Sequence, residues 1–90
     1  MKMLDYKPLN DNEIELLITL PEGKTANELM IQLHEEVKDI ADKVHGKVLK
    51  VNGRITTPMS AYIGHYFAHL CAEIQFYVPM EKQYILAVWH

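Results

Sequence analysis

The chain predicts a small α/β protein: a mixed sheet in the order β-α-β-α-β-β, with parallel first strands, a C-terminal antiparallel hairpin and an extra edge strand at the N-terminus. Three patterns predict it. Residues 13–20 alternate apolar and polar at the period of a strand. Leu29, Leu33, Val37, Ile40 and Val44 then recur at helical spacing. Beyond Gly46, Val48, Leu49 and Val51 form a run apolar enough for a central strand covered on both faces. Right-handed crossovers would leave the strands joined by helices parallel. Ninety residues amount to one domain. A core of that size is modest, so association with a second copy would add stability.

Taken in order, residues 3–6 suggest an edge strand stopped by Pro8, which has no N–H for a ladder. Asn10-Asp11-Asn12 is a turn signal. In the strand that follows, Ile14, Leu16, Ile18 and Leu20 face one way, while Leu17 suggests partial cover on the other side. Pro21 to Lys24 breaks it. Thr25 with Glu28 forms a capping box that opens a helix running to about Val44. Glu35, Glu36, Lys38, Asp39 and Lys43 read as its solvated side, and Gly46 as its stop. After the strand at 47–51 come Asn52-Gly53-Arg54, then Thr57 as N-cap and Pro58 as first helical residue. This second helix is expected to end near Ala72. Strands at 73–78 and 84–89 close the chain as a hairpin.

Composition narrows the function. A net charge of −3 and a pI of 5.9 argue against a general nucleic-acid coat, which needs clustered Lys and Arg. Cys71 is the single cysteine, so it has no intrachain disulfide partner and fits a reducing, cytoplasmic setting. No apolar run approaches the roughly 20 residues that span a bilayer, and the first ten residues lack the apolar core of a signal peptide.

Chemistry concentrates between Asn52 and Pro79. Ligands of open parallel sheets bind outside the carboxyl ends of the strands. That edge gathers Gly23-Lys24, Asn52-Gly53-Arg54, Lys82 and two helix N-termini with free N–H groups. Gly53 permits close backbone approach, Arg54 offers a bidentate fork, and Thr56, Thr57 and Ser60 supply hydroxyls, so the edge suits a phosphate. An ordinary capped helix start with a surface Arg explains the same residues.

On the second helix Met59, Ile63, Tyr66, Phe67 and Leu70 make the core stripe. Ala61, Gly64, Ala68 and Ala72 form a small-residue strip suited either to a dimer contact or to close packing within one subunit. Tyr62, His65 and His69 share a third face. His65 and His69 are spaced to reach one point, with His34, His45 or His90 as further ligands, but Tyr66 stands where a zinc hydrolase helix carries Glu. A general acid or base role suits His69 better. His69 falls about 16 Å along the helix from its start at about 1.5 Å per residue, at the far end from Arg54. If both act on one ligand, a second subunit must complete the site.

From Gly46 onward the sequence resembles the small CRISPR-associated ring nucleases of type III systems, the Csx-three family. The matching positions are Asn52-Gly53, Pro58, Ala68-His69 and Val78-Pro79, and the match covers about the second half of the chain. The resemblance implies a dimer that binds cyclic tetra-adenylate between dimers stacked head to tail, and that linearises it to switch off antiviral effectors. It implies His69 as the catalytic histidine; if ring opening runs through the ribose 2′-OH, Arg54 would suffice as its partner, steadying the pentacoordinate phosphate. Joined to the phosphate edge read above, it makes Asn52, Gly53, Arg54, Thr56, Thr57, Ser60, His65 and Lys82 the expected ligand contacts. No cofactor is fixed by it; manganese is the metal to test. Two positions depart from the family: Val78 replaces its Asp, and Met80 replaces the basic residue after its Pro. These departures keep a second expectation open, a binding-only sponge or sensor. A third is a purely structural dimerisation module.

Overall fold

A computed structural model describes residues 1–89. His90, a candidate third metal ligand above, lies outside the described residues. The chain runs β1 (Leu4–Pro8), β2 (Glu13–Ile18), α1 (Ala26–Val44), β3 (Val48–Gly53), α2 (Thr57–Phe67), β4 (Glu73–Val78) and β5 (Gln83–Trp89). The five strands form one sheet in sequence order, β1-β2-β3-β4-β5. β2, β3 and β4 are parallel, whereas β1 and β5 run antiparallel on the two edges. The α/β class, the parallel centre, the hairpin and the edge strand are therefore as predicted.

Both crossovers step the same way along the sheet, and right-handed crossovers of that kind put both helices on one face. The core lies beneath them. Ile14, Leu16 and Ile18 of β2, Leu49 and Val51 of β3 and Ile74 of β4 meet Leu33, Val37 and Ile40 of α1 and Met59, Ile63 and Phe67 of α2. Period-two alternation sends the intervening residues to the opposite face, which no helix covers. This corrects the expectation that β3 is covered twice: Lys50 and Asn52 occupy its second face. Leu17, read as a sign of partial cover, is 42% exposed there.

Local chemistry sets the element ends. Thr25 Oγ1 accepts from Glu28 N at 3.2 Å while Glu28 Oε1 accepts from Thr25 N at 2.9 Å, the reciprocal capping box. Asn10 Oδ1 accepts from the amides of Asn12 and Glu13 at 2.8 and 2.9 Å, which makes the turn between β1 and β2. Gly46 adopts φ 75° after α1, the left-handed stop that was expected. Pro8 ends β1 from inside the strand, opposite Ile14, because an outer strand tolerates a missing N–H.

Two helix boundaries differ from expectation. The N-cap of α2 is Thr56, extended at φ −79° and ψ 159°, whose Oγ1 accepts from Met59 N at 3.3 Å. Thr57 is thus the first helical residue and Pro58 the second, still within the turn whose N–H groups have no helical acceptor. α2 also stops at Phe67 rather than near Ala72. Long-range hydrogen bonds end it: Gly46 N donates to Leu70 O at 2.7 Å and Ala72 N to Lys47 O at 2.9 Å. Those bonds tie the turn to the end of α1 and the start of β3.

Glu36 is a third correction. It is half-buried rather than solvated, and its carboxylate accepts from Met3 N at 2.9 Å, Leu4 N at 2.8 Å and Gln32 Nε2 at 2.6 Å. Burial pushes its pKa up, but the amide of Leu4, then Gln32, the amide of Met3 and the charge of Lys2 together hold it below the ordinary carboxylate value. Glu36 thereby anchors the start of β1 to α1, and Gln32 Nε2 adds a bond to Met1 O at 2.7 Å.

Candidate functional site

The carboxyl ends of β2, β3 and β4 release three connections: residues 19–25, residues 54–56 and the turn at 79–82. Asn52, Gly53, Arg54, Thr56 and Thr57 lie together at the middle one, and Lys82 lies at the same end of the sheet through the β4–β5 turn. Because β2, β3 and β4 are laid down in one direction, the strand order never reverses. The sheet therefore has no switch-point crevice of the kind that a reversal opens in doubly wound sheets. A groove lies elsewhere, among Met1, Lys24 and the α1 residues Glu28, Ile31 and Gln32.

Each residue of the edge has a definite structural setting. Gly53 holds φ 104° and pairs with Ile18; a Cβ there would overlap the Ile18 carbonyl oxygen. Its glycine is therefore required by the approach of β2, before any ligand is considered. Asn52 Oδ1 accepts from Gly53 N at 2.7 Å. The hydroxyl of Thr56 is engaged in the cap, whereas Thr57 is exposed and Ser60 half-buried. Arg54 is exposed and appears in no hydrogen bond or ion pair among the described residues. Lys82 takes φ 53°, the only non-glycine positive φ among the described residues, and its N donates to Pro79 O at 3.3 Å.

The histidines sit elsewhere. His65 is exposed in the last turn of α2, and His69 is exposed in the turn before β4. The helix ends before His69, so the two do not share a helical face as their spacing implied. Both lie toward the amino end of β4, opposite the Arg54 edge. Among the described residues no three His, Cys, Asp or Glu side chains gather as a metal site would require. Tyr62, grouped with these histidines on sequence, instead turns toward α1, where its hydroxyl is 2.8 Å from His34 Nδ1. Burial pushes the Tyr62 phenol pKa up, with Tyr66 adding to the effect. Cys71, in the same α2–β4 turn, is buried, and burial pushes its thiol up to about 11.

Sequence reasoning missed a cluster on the uncovered face. Tyr84 Oη donates to Glu15 Oε2 at 3.0 Å, Lys50 Nζ lies 5.2 Å from the Tyr84 ring centre, and Tyr77 packs edge-on against that ring at 5.3 Å. Lys50 also pairs with Glu13 at 3.5 Å. Burial and the Glu15 carboxylate push the Tyr84 phenol up to about 12. The polar positions of β2 and β3 were a usable signal, but only the lateral strand order says that β5 reaches them.

No helix of the described residues is long and apolar enough to cross a membrane. No family model, curated protein or solved structure matches this chain.

Proposed function

We propose that the chain binds cyclic tetra-adenylate at the Arg54 edge and linearises it, acting in the cytoplasm as an assembly of at least two copies. The observation that carries this reading is the placement of Arg54 and His69 at opposite ends of the sheet. One copy offers a cation and hydroxyls at one end and an imidazole at the other. A phosphodiester ring between two copies would meet both; the resemblance to ring nucleases implies a ring held between dimers stacked head to tail.

The chemistry needs no added nucleophile. A ribose 2′-OH attacks the adjacent phosphorus while His69 takes its proton. Arg54 offsets the charge on the pentacoordinate phosphorus, and the 5′ oxygen leaves as a ribose 5′-OH by taking a proton from water, after which His69 returns its proton to solvent. The product is a linear oligonucleotide with a 2′,3′-cyclic phosphate. Asn52, Gly53, Thr56, Thr57, Ser60, His65 and Lys82 are the proposed ligand contacts, and the net charge of −3 disfavours DNA as a partner.

A second reading, binding without cleavage, is favoured by one specific feature. Val78 and Met80 stand where the family has Asp and a basic residue. Val78 is half-buried in β4 opposite Gln83, and Met80 is 95% exposed. The deciding experiment incubates the protein with labelled cyclic oligoadenylates of several ring sizes, with and without manganese. A linear product that disappears with His69→Ala supports the nuclease. Binding without product supports the sponge or sensor. With no product and no rise in melting temperature, where saturation at about 100 times Kd adds about 2.7 kcal/mol, the structural module is left.

A further inference from the structure

We propose that a second copy of this chain docks on β5, so that two sheets join into one continuous sheet across a two-fold axis. The two outer strands of the sheet are built differently. β1 carries Asp5, Lys7 and Pro8, the charges and proline that discourage edge-to-edge pairing. β5 reads QYILAVW, with no charge and no proline in 7 residues. It leaves Ile85 39%, Leu86 43% and Trp89 62% exposed.

A second copy is the occupant that suits this strand. Two identical strands paired antiparallel are related by a two-fold axis, and that pairing sets no like charges against each other. The bulge between Ile74 and Gln75 of β4, which leaves Ala87 of β5 without an opposite residue, confines the regular ladder to Gln83–Leu86. That length falls short of the roughly 800 Å² per partner of a stable interface. α2 supplies the remainder. A Cβ on Gly64 would lie 4.0 Å from Val88 Cγ2, so the side of α2 away from α1 stands over β5. That flank carries Ala61 and Gly64, small enough for a second α2 to come alongside at helix-packing distance.

A consequence rests on the functional reading above. The two-fold axis reverses strand direction. It sets Arg54 of one copy on the same side of the joined sheet as His69 of the partner subunit. Arg54 follows β3 and the partner's His69 precedes its β4, so the two lie four strand spacings apart, about 19 Å. The axis within one dimer thus places on one edge the two ends that a single copy keeps at opposite edges.

Sedimentation of the purified chain tests the dock without any nucleotide. The expected result is a dimer at micromolar concentration whose Trp89 emission shifts to the red on dilution. Leu86→Lys and, separately, Ala61→Glu are both at exposed positions. Each should give a folded monomer with unchanged circular dichroism. A wild-type monomer, or a dimer that both variants leave intact, overturns the proposal. For the shared edge, Arg54→Ala and His69→Ala chains are mixed and allowed to exchange. Random pairing leaves one intact site in half the dimers, so cleavage should recover to about a quarter of the wild-type rate. No recovery, from a wild type that does cleave, overturns the shared edge; a wild type that dimerises but never cleaves overturns the nuclease reading instead.

Discussion

The two faces of the sheet are made from the same strands by opposite means. Beneath the helices, Leu16, Leu49, Ile63, Phe67 and Ile74 are 0% exposed. On the other face, Glu13, Glu15, Lys50, Tyr77 and Tyr84 stay half-exposed and hold one another by hydrogen bond, ion pair and ring contact. Burial of apolar area carries the first face. Exposed polar contacts of the second kind are each worth little net, because water competes for every partner. Stability should therefore depend strongly on the covered face and weakly on the open one, which leaves the open face and its edges free to vary with function.

Substitutions rank that contrast. Phe67→Ala, at the centre of the covered face, should cost about 3–5 kcal/mol in urea unfolding. A cost below that of any open-face change would end the comparison. Gly53→Ala comes next, because it strains both φ 104° and the approach to the Ile18 carbonyl. About 1–3 kcal/mol is expected, read as a lower urea midpoint. Glu36→Gln tests the rim, where the lost charge-assisted bonds to Met3 and Leu4 should cost about 1 kcal/mol at neutral pH.

The sign of the pH effect follows from the lowered Glu36 pKa. Its contribution is present above the unfolded carboxylate value of about 4.3 and is lost as pH falls through the lower folded value. Glu36→Gln should flatten acid destabilisation in that window. Tyr84→Phe should have the smallest effect, about 1 kcal/mol or less at pH 7. Its folded pKa is raised to about 12. The Tyr84 contribution is thus intact below the unfolded value of about 10 and is lost between there and about 12. Wild type should lose stability more steeply than Tyr84→Phe across that alkaline range in thermal melts.

What could be read from sequence was local or periodic. The capping box at Thr25 and Glu28, the stripe of α1 and the glycine stop at Gly46 depend on neighbours a few residues away, and each stands where expected. The end of α2 was not legible. Ala68 to Ala72 has good helix propensity, but the amide of Gly46 and the carbonyl of Lys47 claim its backbone from more than twenty residues away. Adjacent threonines hid the cap, since either side chain can accept the first free amide. Glu36 looked solvated because a carboxylate serving another strand's amides leaves no periodic trace. The separation of Arg54 from His69 was legible from helix length alone; the missing switch point at the Arg54 edge was not, because it follows from lateral strand order.

Cys71 gives the α2–β4 turn a clock. With the thiol at about 11 rather than 9, its thiolate is scarcer by on the order of a hundredfold than that of an unperturbed cysteine. At 5% exposure it is also shielded from bulky reagents. Alkylation of the native protein must therefore wait for this turn to open. Its rate under mild conditions counts those openings. A ligand held against His69 would slow the count without changing a single bond in the core, so labelling time reads occupancy at that end of the molecule.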